Sequence, residues 1–345
     1  MNLLLDVATD KRQIEKNARS AVNLLAFAII LSTALSYIFS IVTAFVLPLI
    51  SELITNILIG MGQSRMYAVI FAQNFIHSDG LTWFLSIVSS ILCTFLPFAV
   101  LSGRMLKMTS EEAAPLKGKI LKSFPFIYCS ARMSATVVSM FASWLFSVLF
   151  PSVHNVSGTE ITKLYGNSTS APSLFLAFLS MCVIASLAEE FVYRGVIYGY
   201  LKKYGSYFAA FSSSLIFGFA HATVDQIAYA FIFGLMLCEV TKRTGNLKTA
   251  IIIHFINNFV AYLTGYLMPY LGLSWAAVIF NMAHGIISGV FAIIGFIMLF
   301  KYRNKEKDTP DEEYNVPMHC FFCVGTVFVI VSSVVDMITV LFANG

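Results

Sequence analysis

The chain is a succession of apolar runs, each about as long as a bilayer is thick, and that spacing admits few folds. Nine such runs cover approximately residues 21–49, 81–102, 132–150, 173–200, 206–222, 225–241, 249–268, 275–300 and 320–342. About 20 apolar residues in a helix cross the hydrocarbon core of a membrane. Backbone in lipid must satisfy its own hydrogen bonds, which favours helices over open sheets. The expected fold class is therefore all-α, a polytopic membrane protein built as a helical bundle of about eight to nine transmembrane helices. Only 12% of residues are charged, against roughly 25% in soluble domains. The first run is too long for the apolar region of a signal peptide and is expected to stay as an anchor.

Lysine and arginine orient the set. Of the 22 such residues, all but Arg65, Lys163 and Arg194 fall before the first run or after the second, fourth, sixth and eighth. That alternation places the N-terminus in the cytoplasm and the C-terminus outside. The protein reads as an integral protein of a bacterial plasma membrane.

Three regions are expected: an N-terminal transmembrane region of about three spans and unknown role (1–172), a core (173–300), and a cytoplasmic linker with a C-terminal transmembrane helix (301–345). Residues 51–80 are of mixed polarity and suit an interfacial or re-entrant piece. Asn155-Val156-Ser157 and Asn167-Ser168-Thr169 fit glycosylation acceptors. The six cysteines mostly lie in apolar runs, as buried thiols do. His319-Cys320-Phe321-Phe322-Cys323 has redox or metal spacing, but it opens an apolar helix.

Ionisable residues inside apolar runs are costly and mark function. Glu190 and Arg194 are four apart, so on a helix they share a face and can pair. Glu189 is rotated by about 100° from Glu190, free to face a cavity. The plain alternative is a helix end at the interface, but the apolar pattern continues for three turns to Leu201. His221 closes an apolar run four residues after Phe217, where a satisfied helix-end histidine is also common. His254 and Asn258 share a helical face and aim two donors in one direction, which suits an oxyanion. Asn257 is rotated from them and reads as a packing amide that bonds across helices. His284 has no partner motif and reads as structural.

In that order, Glu189-Glu190-x-x-x-Arg194, Phe217-x-x-x-His221 and His254-x-x-x-Asn258 resemble the CAAX protease and bacteriocin-processing (Abi) family, which includes the type II CAAX prenyl endopeptidases. All three motifs match without substitution, over roughly residues 173–268. The resemblance implies an intramembrane endopeptidase that cuts near the C-terminus of a membrane-associated or lipidated peptide or protein. It implies that Glu189 and His221 activate the attacking water, that His254 and Asn258 form the oxyanion hole, and that Glu190 and Arg194 brace the site. The implied partners are a peptide or lipidated protein and membrane lipid, with no nucleic acid; oligomeric state is left open. No cofactor is the favoured reading. Glu189, His221 and His254 would also make a two-histidine, one-carboxylate site for a divalent metal such as zinc, although His-Glu-x-x-His is missing.

Two other readings stay open: a non-catalytic immunity or scaffold member of the same family, and a proton-coupled transporter, against which no inverted repeat is visible. Upright helices also pose a problem of depth. Counted at about 1.5 Å per residue from the charged flanks, Glu189 and His221 lie ~20 and ~22 Å deep, Asn258 ~15 Å, and His254 only ~9 Å. For the four to meet, the helix carrying His254 must start deeper or tilt.

Overall fold

A computed structural model describes residues 2–151, 170–221, 223–303 and 316–343. The candidate glycosylation triplets and most of the charged linker lie outside the described residues. The described chain is helical, with no strand among the described residues.

Among the described residues, seven helices are long and apolar enough to cross a membrane. In chain order the elements are α1 (Asn2–Gly60), α2 (Arg65–Ile76), α3 (Asp79–Met105), α4 (Ser110–Ala113), α5 (Phe124–Leu149) and α6 (Ala171–Tyr204). They continue with α7 (Ser206–Phe219), α8 (Val224–Thr244), α9 (Lys248–Tyr270), α10 (Ser274–Arg303) and α11 (Val324–Ala343). The long spans correspond to α1, α3, α5, α6, α8, α9 and α10, while α7 and α11 are shorter apolar helices. Each expected run thus falls on an apolar helix.

Two boundaries differ from expectation. The first helix does not stop near residue 49: its 59 residues reach about 90 Å, three times the hydrocarbon thickness. Beyond Gly60 the chain reverses, and α2 packs back on α1 through Ala68, Ala72 and Ile76. Gln73 there donates to Ser51 Oγ at 3.3 Å. The region of mixed polarity is thus a helical hairpin. In the second case, α5 begins eight residues before the expected start of its span. Arg132 therefore lies two turns inside the helix instead of flanking it, with its charge near the Tyr128 and Tyr229 phenols.

The core of the bundle is built by α6, α7, α8 and α9, with α5 and α10 packed together on one side. On another side α1 and α11 pack against each other and α11 reaches α7. The segment between α3 and α5 folds over the basic end of the bundle. Thr109 and Glu112 cap α4 reciprocally, and the Thr109 N–H holds the Glu112 carboxyl below the usual glutamate range.

This covering segment resolves the depth problem. The turn between α8 and α9 is covered by residues 115–121. Leu247 N–H donates to Pro115 O at 2.8 Å, Leu121 N–H donates to Thr249 Oγ1 at 3.1 Å, and Lys248 Nζ donates to Gly118 O at 3.3 Å. Asn246, Leu247 and Thr249 are buried. Gly118 has φ +130°, and a Cβ there would sit 2.6 Å from Asn246 Nδ2. The helix carrying His254 therefore starts inside protein, and counting depth from Lys248 misplaces it.

Candidate active site

The glutamate pair lies in α6, where wide π-type turns run over Glu190–Tyr198. Such turns are frequent at functional sites because the extra residue re-aims side chains. Glu190 and Arg194 are fully buried and paired, with Arg194 Nη1 donating to Glu190 Oε1 at 2.9 Å. The guanidinium carbon stands 4.4 Å from the centroid of the Phe217 ring, a cation–π contact strengthened by the absence of water. Room for it comes from Gly234 on α8, where a Cβ would sit 3.1 Å from both Arg194 Nη2 and Ser214 Cβ.

The same Glu190 oxygen accepts a second bond, from His254 Nδ1 at 2.7 Å. A paired carboxylate only accepts, so Nδ1 carries the hydrogen and Nε2 is turned the other way. Nε2 faces Glu189 Oε2 at 3.6 Å. His254 is buried at 4% exposure, whereas the Glu189 side chain is 31% exposed. Of the two glutamates, one is locked in protein and the other is partly exposed, with an imidazole held between them.

Asn258, one turn further along α9, donates to the Met181 carbonyl of α6 at 3.0 Å and accepts from Asn257 Nδ2 at 3.5 Å. Asn257 in turn accepts from Tyr229 OH at 2.7 Å. A polar chain therefore runs from Tyr229 through Asn257 to Asn258. Tyr229 and the Met181 carbonyl have no motif signature. A tyrosine among Ala228, Ala230 and Phe231 reads as core, and a main-chain carbonyl leaves no mark in sequence.

His221 is placed differently. Its Nδ1 bonds Phe217 O at 2.9 Å, and it shares no hydrogen bond with Glu189. His221 and His254 instead flank the Phe217 ring edge-on, with centroids 5.1 and 6.0 Å away. The structure thus brings Glu189, Glu190, Arg194 and His254 into one bonded cluster, sets Asn258 one turn from it, and leaves His221 across one aromatic ring. His284 bonds Tyr128 OH through Nε2 at 3.2 Å and stacks on Phe280, away from this cluster.

The donor atoms of Glu189, His221 and His254 do not converge as a metal-ligand set. His254 Nδ1 is committed to Glu190, and His221 Nδ1 to a carbonyl. Among the described residues, the His, Cys, Asp and Glu atoms that gather within 4.8 Å of one another are those of Glu15, His319 and Cys320, on other elements.

The fold is that of an all-α integral membrane protein built from apolar helices. Residues 171–260 match the family model described as type II CAAX prenyl endopeptidase Rce1-like, which places this segment in the family that the motifs resemble. The matched segment contains Glu189, Glu190, Arg194, His221, His254 and Asn258. No curated protein and no solved structure matches the chain.

Proposed function

We propose that the protein is an intramembrane endopeptidase that hydrolyses a peptide bond near the C-terminus of a membrane-associated or lipidated peptide, with Glu189 as the base. The observation that carries this reading is the facing pair of Glu189 and His254, 3.6 Å apart, with His254 fixed from behind by a buried glutamate. A water about 2.8 Å from each closes a triangle over them. Glu189 takes its proton while the oxygen attacks the peptide carbonyl carbon. The second amide hydrogen of Asn258 receives the oxyanion. Glu189 then returns the proton to the leaving amine, and the carbon–nitrogen bond breaks.

His221 is the second group proposed to hold the water, and it reaches the triangle by swinging past the Phe217 edge. Glu190 and Arg194 position His254, and their opposite charges cancel behind it. No step is routed through a metal, since Glu189 can take the proton of the water directly. The basic loops support a cytoplasmic N-terminus, as in a bacterial plasma membrane.

The test is purified protein in detergent with a panel of quenched peptides, some prenylated. Cleavage that disappears in Glu189→Gln supports the reading. Solute flux into liposomes that depends on Glu189, with no peptide cut, would replace it with transport.

A further inference from the structure

The ligand-type cluster outside the active site joins the two ends of the chain. Glu15 is half-buried on α1. His319 and Cys320 lie in the single turn Met318–Phe321 that leads into α11. Their ligand atoms all lie within 4.8 Å of one another. In a tetrahedral zinc site with bonds of about 2.0–2.3 Å, ligand atoms stand roughly 3.5 Å apart. Small side-chain rotations therefore close this group on an ion.

The backbone that carries the ligands is anchored without any ion. Val316 N–H donates to Tyr204 O at 2.9 Å, at the basic end of α6. Cys320 is fully buried, and its N–H donates to Pro317 O at 3.0 Å. Thr326 Oγ1 donates to Phe321 O at 2.6 Å and accepts from Cys323 N–H at 3.0 Å. Gly325 N–H donates to Asn23 Oδ1 at 2.6 Å. A Cβ on Gly325 would sit 2.9 Å from Asn23 O, so α1 and α11 meet there at backbone contact. A positive charge already lies beside the spot: Arg19, one turn beyond Glu15 on α1, is close enough to interact with Cys320 and Glu15. Its side chain is exposed and can turn to solvent when a cation takes its place.

We propose that Glu15, His319 and Cys320 bind a zinc-class divalent cation that clips the first helix to the last. Imidazole, thiolate and carboxylate together select zinc-like ions over magnesium or calcium. Cys320 loses its thiol proton on ligation. The fourth position belongs to water or to Cys323, which borders the same groove with Arg19 and Asn23. The site is distinct from Glu189 and His254 and does not depend on the protease reading.

The probe is cobalt, and then zinc, titrated into the reduced full-length protein in detergent. The expected result is one equivalent with a thiolate-to-cobalt charge-transfer band in wild type and in Glu189→Gln. In Cys320→Ser the band disappears, and in His319→Ala affinity falls by more than about 100-fold, beyond what outer-shell changes cost. Glu15→Gln, at a half-buried position that leaves the fold intact, keeps the band at reduced affinity and so covers the case in which Cys320→Ser fails to fold. Three results would overturn the proposal: no bound metal, an equivalent that survives in Cys320→Ser but is lost in His254→Ala, or a Cys320–Cys323 disulfide in place of two titratable thiols.

Discussion

Two adjacent glutamates should fail in opposite ways, and the contrast tests the site directly. Glu190→Gln keeps shape but removes the charge that faces Arg194 at 2.9 Å and His254 at 2.7 Å. The guanidinium is then buried without an anion, and its Nε and Nη2 already lack partners among the described residues. Breaking a buried pair from one side costs about 3–5 kcal/mol, or roughly 10²–10⁴ in the folded-to-unfolded ratio. At ~2–4 °C per kcal/mol, the melting temperature in detergent should fall by roughly 6–20 °C. Adding Arg194→Met to Glu190→Gln should recover much of that loss, because a buried pair replaced by uncharged groups is close to neutral. Glu189→Gln should behave otherwise. Its side chain is 31% exposed and touches His254 only at 3.6 Å, so stability should change by about 0.5 kcal/mol or less. Cleavage should fall by roughly 10²–10⁴, the worth of a general base. Thermal unfolding and peptide cleavage on the same preparations read both quantities. If Glu189→Gln melts as early as Glu190→Gln, or if Glu190→Gln melts with wild type, the division into a reacting and a bracing carboxylate is wrong.

Gly195→Ala should destabilise by several kcal/mol, since its Cβ would lie 2.0 Å from Ala113 O, and overpacking alone costs about 1–3 kcal/mol; lost expression or a lower melting temperature checks it, and wild-type stability would refute it. Asn258→Ala should lower kcat by about 10²–10³ with little change in KM if the amide meets the oxyanion. An effect confined to KM would make it a substrate contact instead. Tyr229→Phe removes the 2.7 Å donor to Asn257 Oδ1 and should cost about 0.5–1.5 kcal/mol of stability, with a several-fold fall in kcat as Asn257 and Asn258 loosen; unchanged values in both assays would show that the chain from Tyr229 to Asn258 is passive.

Much of this was legible because it is local. Glu190 and Arg194 pair because four residues bring them to one helical face, and the pattern of apolar runs marks every long apolar helix. What was not legible depends on contacts between distant segments. The apparent shallowness of His254 came from taking Lys248 as the bilayer edge. The carbonyls of Pro115 and Gly118, more than a hundred residues away, hold that turn inside protein. Their part could not be read from a loop that looks merely basic. The partner of His254 was hidden for a similar reason. Spacing sets Asn258 on its face, but only the packing of α6 against α9 decides that its ring falls between the two glutamates.

The same contacts give the regions outside the family match a physical role. The active-site helices supply the reacting groups, but not the depth at which they meet. Residues 108–121, packed on Gly195 through Ala113 O and on the α8–α9 turn through Asn246 and Leu247, set the starting level of the helix that carries His254. The last helix acts at the other motif, where buried Ser333 Oγ donates to the His221 carbonyl at 3.5 Å. That helix is itself held to α1 at Gly325 and Asn23. Both histidines are therefore positioned by chain outside residues 171–260. On this argument the matched segment by itself, cut free of α1, the covering loop and α11, holds every side chain proposed to react yet lacks the packing that sets their separation.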